Sequence, residues 1–146
     1  YRIERGEQGV FHARPYTDEL LPLWRFRTPE VAAESAAALW ERFVAFRDGG
    51  DFVGMDVARK FIQMGYTRAR RYANHGSGRK YAEDGSVLPP DPDPVKGASA
   101  DIFRAVLDRV TADPVYRAAR ADHLARFEHA AVAEARSRRS ADEESG

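Results

Sequence analysis

The chain contains no cysteine, and this absence excludes several kinds of chemistry. Without thiols there is no disulfide, no thiolate metal ligand and no cysteine nucleophile. No apolar run approaches the length of about 18 residues that a membrane span requires. The chain also opens on a charged, strand-like stretch rather than on the apolar core of a signal peptide. These absences predict a cytoplasmic protein that makes no membrane contact.

Familiar catalytic and metal-binding motifs are missing as well. His123 and His129 are six residues apart and no HExxH spacing occurs, so no metal site is predicted. There is no Gly-x-Ser-x-Gly elbow to support serine chemistry. Lys80 is followed by Tyr81, which departs from the P-loop pattern. No motif calls for a cofactor.

Acidic residues are missing from one long segment. From Val57 to Ala82 the chain has seven basic residues and no acidic one. Because the whole chain has 23 basic and 23 acidic residues, the remainder carries 16 basic and 23 acidic residues, a net charge of −7. The chain is therefore neutral overall but strongly dipolar, and the basic segment is expected to attract phosphates or carboxylates.

The basic segment has the pattern of an amphipathic helix. At about 100° per residue, its polar side chains fall in a stripe about 120° wide: Asp56, Arg59, Lys60, Gln63, Thr67, Arg70, Arg71 and Asn74. Gly65 lies on the opposite, apolar face. This register predicts one helix from about residue 54 to residue 74, ended at Gly76. A break at Gly65, giving a helix-turn-helix, is the alternative.

The rest of the chain predicts a mainly α, single domain of four to five helices, spanning residues 1–136. Residues 1–13 have the pattern of a small N-terminal β-hairpin. Three cap-and-proline signals predict helix starts, at Thr28-Pro29, Asp93-Pro94 and Asp113-Pro114. Residues 137–146 are rich in Ser, Arg and Glu and are expected to form a disordered tail.

Residues 53–81, together with the upstream stretch from Gly6 to Ala36, resemble the family catalogued as domain of unknown function 4385. The resemblance covers roughly residues 1–127. It implies a small protein of the kind found mostly in bacteria and described as cytoplasmic. It implies no catalytic residue, because no function has been assigned to the family.

The function predicted first is binding of a phosphate-bearing ligand, with nucleic acid preferred, through residues 56–81. Arginine forks and lysine point charges would hold phosphates, and neutral amides and hydroxyls would contact bases or sugars. The predicted ligand-binding residues are Arg59, Lys60, Gln63, Thr67, Arg68, Arg70, Arg71, Asn74, His75, Arg79 and Lys80. The neutral pI argues against a dedicated DNA-binding domain, and the choice between DNA and RNA stays open.

Two alternatives use the same basic segment. A small enzyme would bind an anionic substrate, phosphorylated or carboxylated, in a pocket around Arg68, Arg71 and His75. His75, Asp56 and Tyr72 are then the weak candidates for proton transfer. A protein-interaction module would instead present the basic face to an acidic partner. The interpretation without a ligand is a solvated helix face that forms salt bridges with the acidic remainder of the chain. The sequence does not indicate an oligomeric state.

Overall fold

A computed structural model describes residues 14–74, 81–87 and 93–145 of the chain. Within these ranges lie five α-helices: α1 (Tyr16–Leu20), α2 (Pro29–Asp48), α3 (Phe52–Asn74), α4 (Pro94–Ala112) and α5 (Pro114–Ser145). A 3₁₀ turn, Leu21–Leu23, follows α1 directly. The mainly α prediction is confirmed.

The three predicted helix starts are confirmed, each with its cap. The Thr28 side chain accepts a hydrogen bond from the Val31 N–H, and Asp93 accepts one from the Val95 N–H. Asp113 is the residue between α4 and α5. Its Oδ1 accepts from the Tyr116 N–H, while its Oδ2 lies 2.7 Å from the Arg47 guanidinium on α2. The joint between α4 and α5 is thereby tied to the end of α2.

Helix α3 is central, packing against α2 and α4 along its length and against α1 and α5 more locally. Fully buried side chains from α2, α3 and α4 meet in the core, among them Phe43, Phe61 and Phe103. The helix passes through Gly65 without a break, so the single-helix prediction is confirmed and the helix-turn-helix alternative is wrong. A Cβ built on Gly65 would lie 2.6 Å from the Phe103 ring, so the glycine lets α3 and α4 approach closely.

Other predictions meet the structure only in part. The predicted hairpin at residues 1–13 lies outside the described ranges, and within them the β structure is one isolated bridge between Tyr81 and Val87. Helix α5 continues through residues 137–145, the segment expected to form a disordered tail. No helix in the described ranges is both long and apolar enough to cross a bilayer.

Candidate anion-binding sites on helix α3

The predicted polar stripe of α3 is exposed only in its second half. Asp56 is completely buried and Lys60 is 3% exposed, whereas Gln63, Thr67, Arg70, Arg71 and Asn74 are exposed. The helical periodicity of the sequence implied one polar face along the whole helix. The first turns are instead covered on that face too, and Tyr116 of α5 packs there against Asp56.

The buried half of the stripe forms a polar cluster around Asp56. Oδ1 of this carboxylate accepts hydrogen bonds from Arg59 Nε at 3.0 Å and from the Tyr116 hydroxyl at 2.8 Å. Lys60 Nζ lies 3.9 Å from Oδ2. A buried carboxylate is tolerated when it is paired and hydrogen-bonded, and here α3 and α5 both supply donors. Asp56 therefore holds neighbouring side chains in place, and its burial keeps it from a solvent-borne substrate.

Tyr116 contributes to this cluster as a neutral donor. Burial raises the pKa of its hydroxyl above the ordinary value of about 10. The charge of Arg59 opposes this shift, while the charge of Asp56 and its hydrogen bond add to it. The phenol is protonated near neutral pH, as an ordinary tyrosine is, and the raised pKa keeps it a donor to Asp56 in more alkaline solution as well.

A pocket of about 490 Å³ opens beside this cluster, between α3, α4 and α5. We call it the Arg59 pocket. Its polar lining comprises Arg59, Gln63, Thr111, Tyr116, Arg117 and Arg120. Arg59 Nη1 donates to Gln63 Oε1, which fixes the guanidinium from its outer side while Asp56 holds its inner side. Two predicted ligand-binding residues thus lie in a concave site.

The exposed half of the stripe contains the cations that remain accessible on α3. The side chains of Arg70 and Arg71 are exposed and form no ion pair with a carboxylate in the described part of the chain. Thr67 donates its hydroxyl to the Gln63 carbonyl one turn earlier, so it is partly engaged by the helix itself. The interpretation of this face as one neutralised by carboxylates is not supported at Arg70 and Arg71 among the described residues.

A second concave site lies at the C-terminal end of α3. This groove, which we call the Tyr72 groove, has a volume of about 660 Å³ and is lined by Arg25, Phe26, Arg27, Val31, Tyr72 and Lys96. The rings of Phe26 and Tyr72 lie 6.3 Å apart with a tilt of 36°. The Lys96 ammonium donates to the Arg27 carbonyl and lies 6.0 Å from the Tyr72 ring centre. Aromatic faces and cations therefore occur together.

The remaining predicted site residues fall near this groove or outside the described ranges. The Arg68 guanidinium lies over the Trp24 ring, 5.1 Å from its centre, and Trp24 is in turn 5.2 Å from Phe26. Arg68 is thus one ring removed from the groove lining. His75, Arg79 and Lys80 lie outside the residues that the structure describes.

Comparison with family models decides the family of the chain. The model described as Domain of unknown function (DUF4385) matches residues 1–126. The chain belongs to this family. The resemblance seen in the sequence is confirmed, and the match covers α1 to α4 and the first turns of α5. No curated protein and no solved structure shows significant similarity to this DUF4385 chain.

Sequence reasoning missed five of the six cationic residues that line the two concave sites of this DUF4385 protein. Arg25, Arg27 and Lys96 are brought to Tyr72 from distant segments, and only the fold places them there. Arg117 and Arg120 offered one usable signal, their i, i+3 spacing on the predicted last helix. That spacing puts both on one face, but it does not reveal that the face looks toward Arg59.

Proposed function

We propose that this protein binds a phosphate-bearing ligand at the C-terminal end of α3, and that the ligand is nucleic acid with unpaired bases. The observation that carries the proposal is the Tyr72 groove, in which two aromatic rings lie beside three cationic residues. Arg70 and Arg71 are exposed at the same end of α3 and add positive charge there, although at about 100° per residue they leave the helix on other sides than Tyr72.

Unpaired bases suit this arrangement better than a closed duplex does. A base can stack on an exposed aromatic ring, and each such contact contributes about 1–3 kcal/mol with little sequence preference. Tyr72 is 36% exposed, which leaves part of its ring accessible. Arginine and lysine side chains around the groove would meet the phosphates on either side of the stacked base.

The local charge at the groove supports the proposal, whereas the overall charge of the chain does not. The chain is neutral overall, which is unusual for a dedicated DNA-binding domain. None of the described residues lining the Tyr72 groove is acidic, and Arg25, Arg27 and Lys96 all contribute positive charge there. A local basic surface on a neutral protein is expected to give moderate affinity that depends strongly on salt.

The test is fluorescence anisotropy with labelled single- and double-stranded DNA and RNA oligonucleotides across a salt series. If Arg25, Arg27, Arg70 and Arg71 each meet a phosphate, the log–log slope on a single strand is about −3, at about −0.7 per contact. The Arg70→Ala/Arg71→Ala double variant should reduce the size of the slope by about 1.4. Tyr72→Ala should weaken binding by about 1–3 kcal/mol and leave the slope nearly unchanged.

A matched control is Arg126→Ala, which removes an exposed arginine from α5 where it pairs with Asp122. This variant should bind like the wild type. Absence of saturable binding below about 100 µM at low salt, the weak end of non-specific affinity, would eliminate the nucleic-acid proposal. Binding that survives both the double variant and Tyr72→Ala would place the interface elsewhere.

A small anionic substrate is the second candidate, and the size of the groove favours it. A volume of about 660 Å³ falls within the usual range of small-molecule sites, about 300–1,000 Å³. An enzyme acting there would use groove cations to hold the substrate, with Arg68 and Arg71 nearby. A mononucleotide that binds as tightly as an oligonucleotide would favour this function over nucleic-acid binding. The cytoplasmic location predicted from the sequence is part of both proposals.

A further inference from the structure

The Arg59 pocket lies apart from the Tyr72 groove. Thirteen residues separate Arg59 from Tyr72, which is about 20 Å along the axis of α3. The two sites share none of their lining residues. A function of the Arg59 pocket is therefore separable from the function proposed for the groove.

The guanidinium of Arg59 is fixed in place before any ligand arrives. Asp56 is completely buried and binds Arg59 through both Nε and Nη2 at 3.0 Å, while Gln63 accepts from Nη1. The Arg59 side chain is 14% exposed and lines the pocket. A guanidinium held by a buried carboxylate loses little conformational freedom on binding an anion.

Helix α5 adds two further arginines to the same pocket. Arg117 and Arg120 are three residues apart, so they lie on one face of the helix, and both line the pocket. Neither forms an ion pair with a carboxylate in the described part of the chain. Arg120 lines the same pocket as Tyr116, whose hydroxyl belongs to the buried cluster.

The charges around the pocket do not cancel. Asp56 supplies one negative charge, and Arg59, Lys60, Arg117 and Arg120 supply four positive ones, so these side chains carry a net charge of +3. None of the described lining residues is acidic. A dianion whose oxygens face three guanidinium groups suits this field better than a monoanion does.

Part of the pocket wall is apolar. Leu107 on α4 and Leu124 on α5 line this part, together with Ala121. The volume of about 490 Å³ leaves room for an organic group beside the anion and lies within the usual range for small-molecule sites. The pocket therefore offers both cationic and hydrophobic contacts.

We propose that the Arg59 pocket binds a small organic phosphate monoester. Its phosphate lies between Arg59, Arg117 and Arg120, and its organic group packs against Leu107 and Leu124. No covalent step is involved. The site is separate from the nucleic-acid surface proposed above and does not depend on it.

Isothermal titration calorimetry on the full chain tests this site with three probes: phenyl phosphate, inorganic phosphate and benzoate. Phenyl phosphate should bind most tightly, because only it supplies both the dianion and the apolar group. The Arg117→Ala/Arg120→Ala double variant should weaken phenyl phosphate at least about tenfold, because it removes two charged contacts. Both arginines are exposed, so the variant is expected to fold.

Two further variants sharpen the test. Arg126→Ala/Arg136→Ala removes the same charge from exposed positions of α5 outside the pocket lining, and it should bind phenyl phosphate like the wild type. Ala121→Trp fills the pocket without changing its charge, and it should weaken phenyl phosphate at least about tenfold by steric exclusion.

The proposal is overturned by any of three results: no phenyl phosphate binding at low salt, wild-type affinity in the Arg117→Ala/Arg120→Ala variant, or equal weakening in the Arg126→Ala/Arg136→Ala control. Benzoate binding as tightly as phenyl phosphate would overturn the phosphate assignment, and inorganic phosphate doing so would overturn the role of the apolar wall. The Arg70→Ala/Arg71→Ala and Tyr72→Ala variants should keep full phenyl phosphate affinity, which separates this site from the Tyr72 groove.

Discussion

At the scale of single residues, Asp56 organises the buried cluster of charged side chains. Asp56 is the acceptor on which donors from two helices converge, since Arg59 lies on α3 and Tyr116 on α5. Each donor offsets part of the cost of burying the carboxylate. The same contacts join α5 to the central helix, so the cluster is structural as well as electrostatic.

The Tyr116 hydroxyl should make a measurable contribution to stability. In Tyr116→Phe the buried carboxylate loses one donor while Arg59 still neutralises it, so the free energy of unfolding should fall by about 1.5–3 kcal/mol. Urea denaturation measures this change. The control Tyr72→Phe alters a partly exposed hydroxyl and should stay within about 0.5 kcal/mol of the wild type. Equal effects of the two substitutions would show that the Asp56 contact contributes nothing.

Asp113 should make stability depend on pH in the acid range. Burial alone would raise the pKa of this carboxyl, but the Tyr116 N–H and the Arg47 guanidinium outweigh burial and lower it. A lowered pKa in the folded state stabilises the protein above the unfolded value of about 3.9, and this stabilisation is lost as the pH falls towards the folded pKa. The difference in unfolding free energy between the wild type and Asp113→Asn should therefore be largest near neutral pH and shrink below about pH 4.

Chemical denaturation at a series of pH values measures that difference. Asp101→Asn makes the same substitution at an exposed position and serves as the control. A stability difference for Asp113→Asn that stays constant from pH 7 to pH 3 would contradict the assigned role of the Asp113 carboxylate.

At the scale of whole elements, α3 shows what the sequence pattern can and cannot predict. The apolar register through Gly65 predicted one continuous helix, because a packed face must keep its period along the helix. The same register could not predict that Asp56 and Lys60 are buried. At Asp56 the covering element is α5, whose Tyr116 lies 60 residues further along the chain. The periodicity of α3 therefore predicts the face that packs on the core, but it does not predict that a second helix covers part of the polar face.

Gly65 gives a direct test of the contact between α3 and α4. Alanine favours a helix by about 1 kcal/mol over glycine, yet here its Cβ would lie 2.6 Å from the buried Phe103 ring. Gly65→Ala should therefore lower the free energy of unfolding by about 1–3 kcal/mol, as overpacking does. Thermal and urea denaturation both report this change.

Gly97 on α4 is a matched control for that substitution. A Cβ built there would lie 3.9 Å from the Ala73 Cβ, which is an ordinary contact. Gly97→Ala should therefore leave stability unchanged or raise it by up to about 1 kcal/mol. If both substitutions stabilised the protein, the close approach at Gly65 would be disproved.

At the scale of the whole molecule, the fold divides the basic segment between two sites. The sequence treated residues 56–81 as one cationic surface. In the structure α5 forms a pocket beside Arg59 and Gln63, while Arg70 and Arg71 stay exposed at the end of α3 where the Tyr72 groove lies. The groove draws on residues from before α2 and from the start of α4. Such long-range assembly explains why the charge run was readable from the sequence and the two concave sites were not.

A small rotation of α5 about Asp113 would displace the far end of this helix much more than its first turns. Helix α5 has 32 residues and is about 48 Å long, and one residue separates it from α4. A rotation of about 5° at that joint would move the far end of α5 by about 4 Å but Arg120 by only about 1 Å. The bond from Arg47 to Asp113 opposes such a rotation from the end of α2. The contact between Arg47 and Asp113, at the end of α2, thus helps to hold Arg117 and Arg120 at their distance from Arg59.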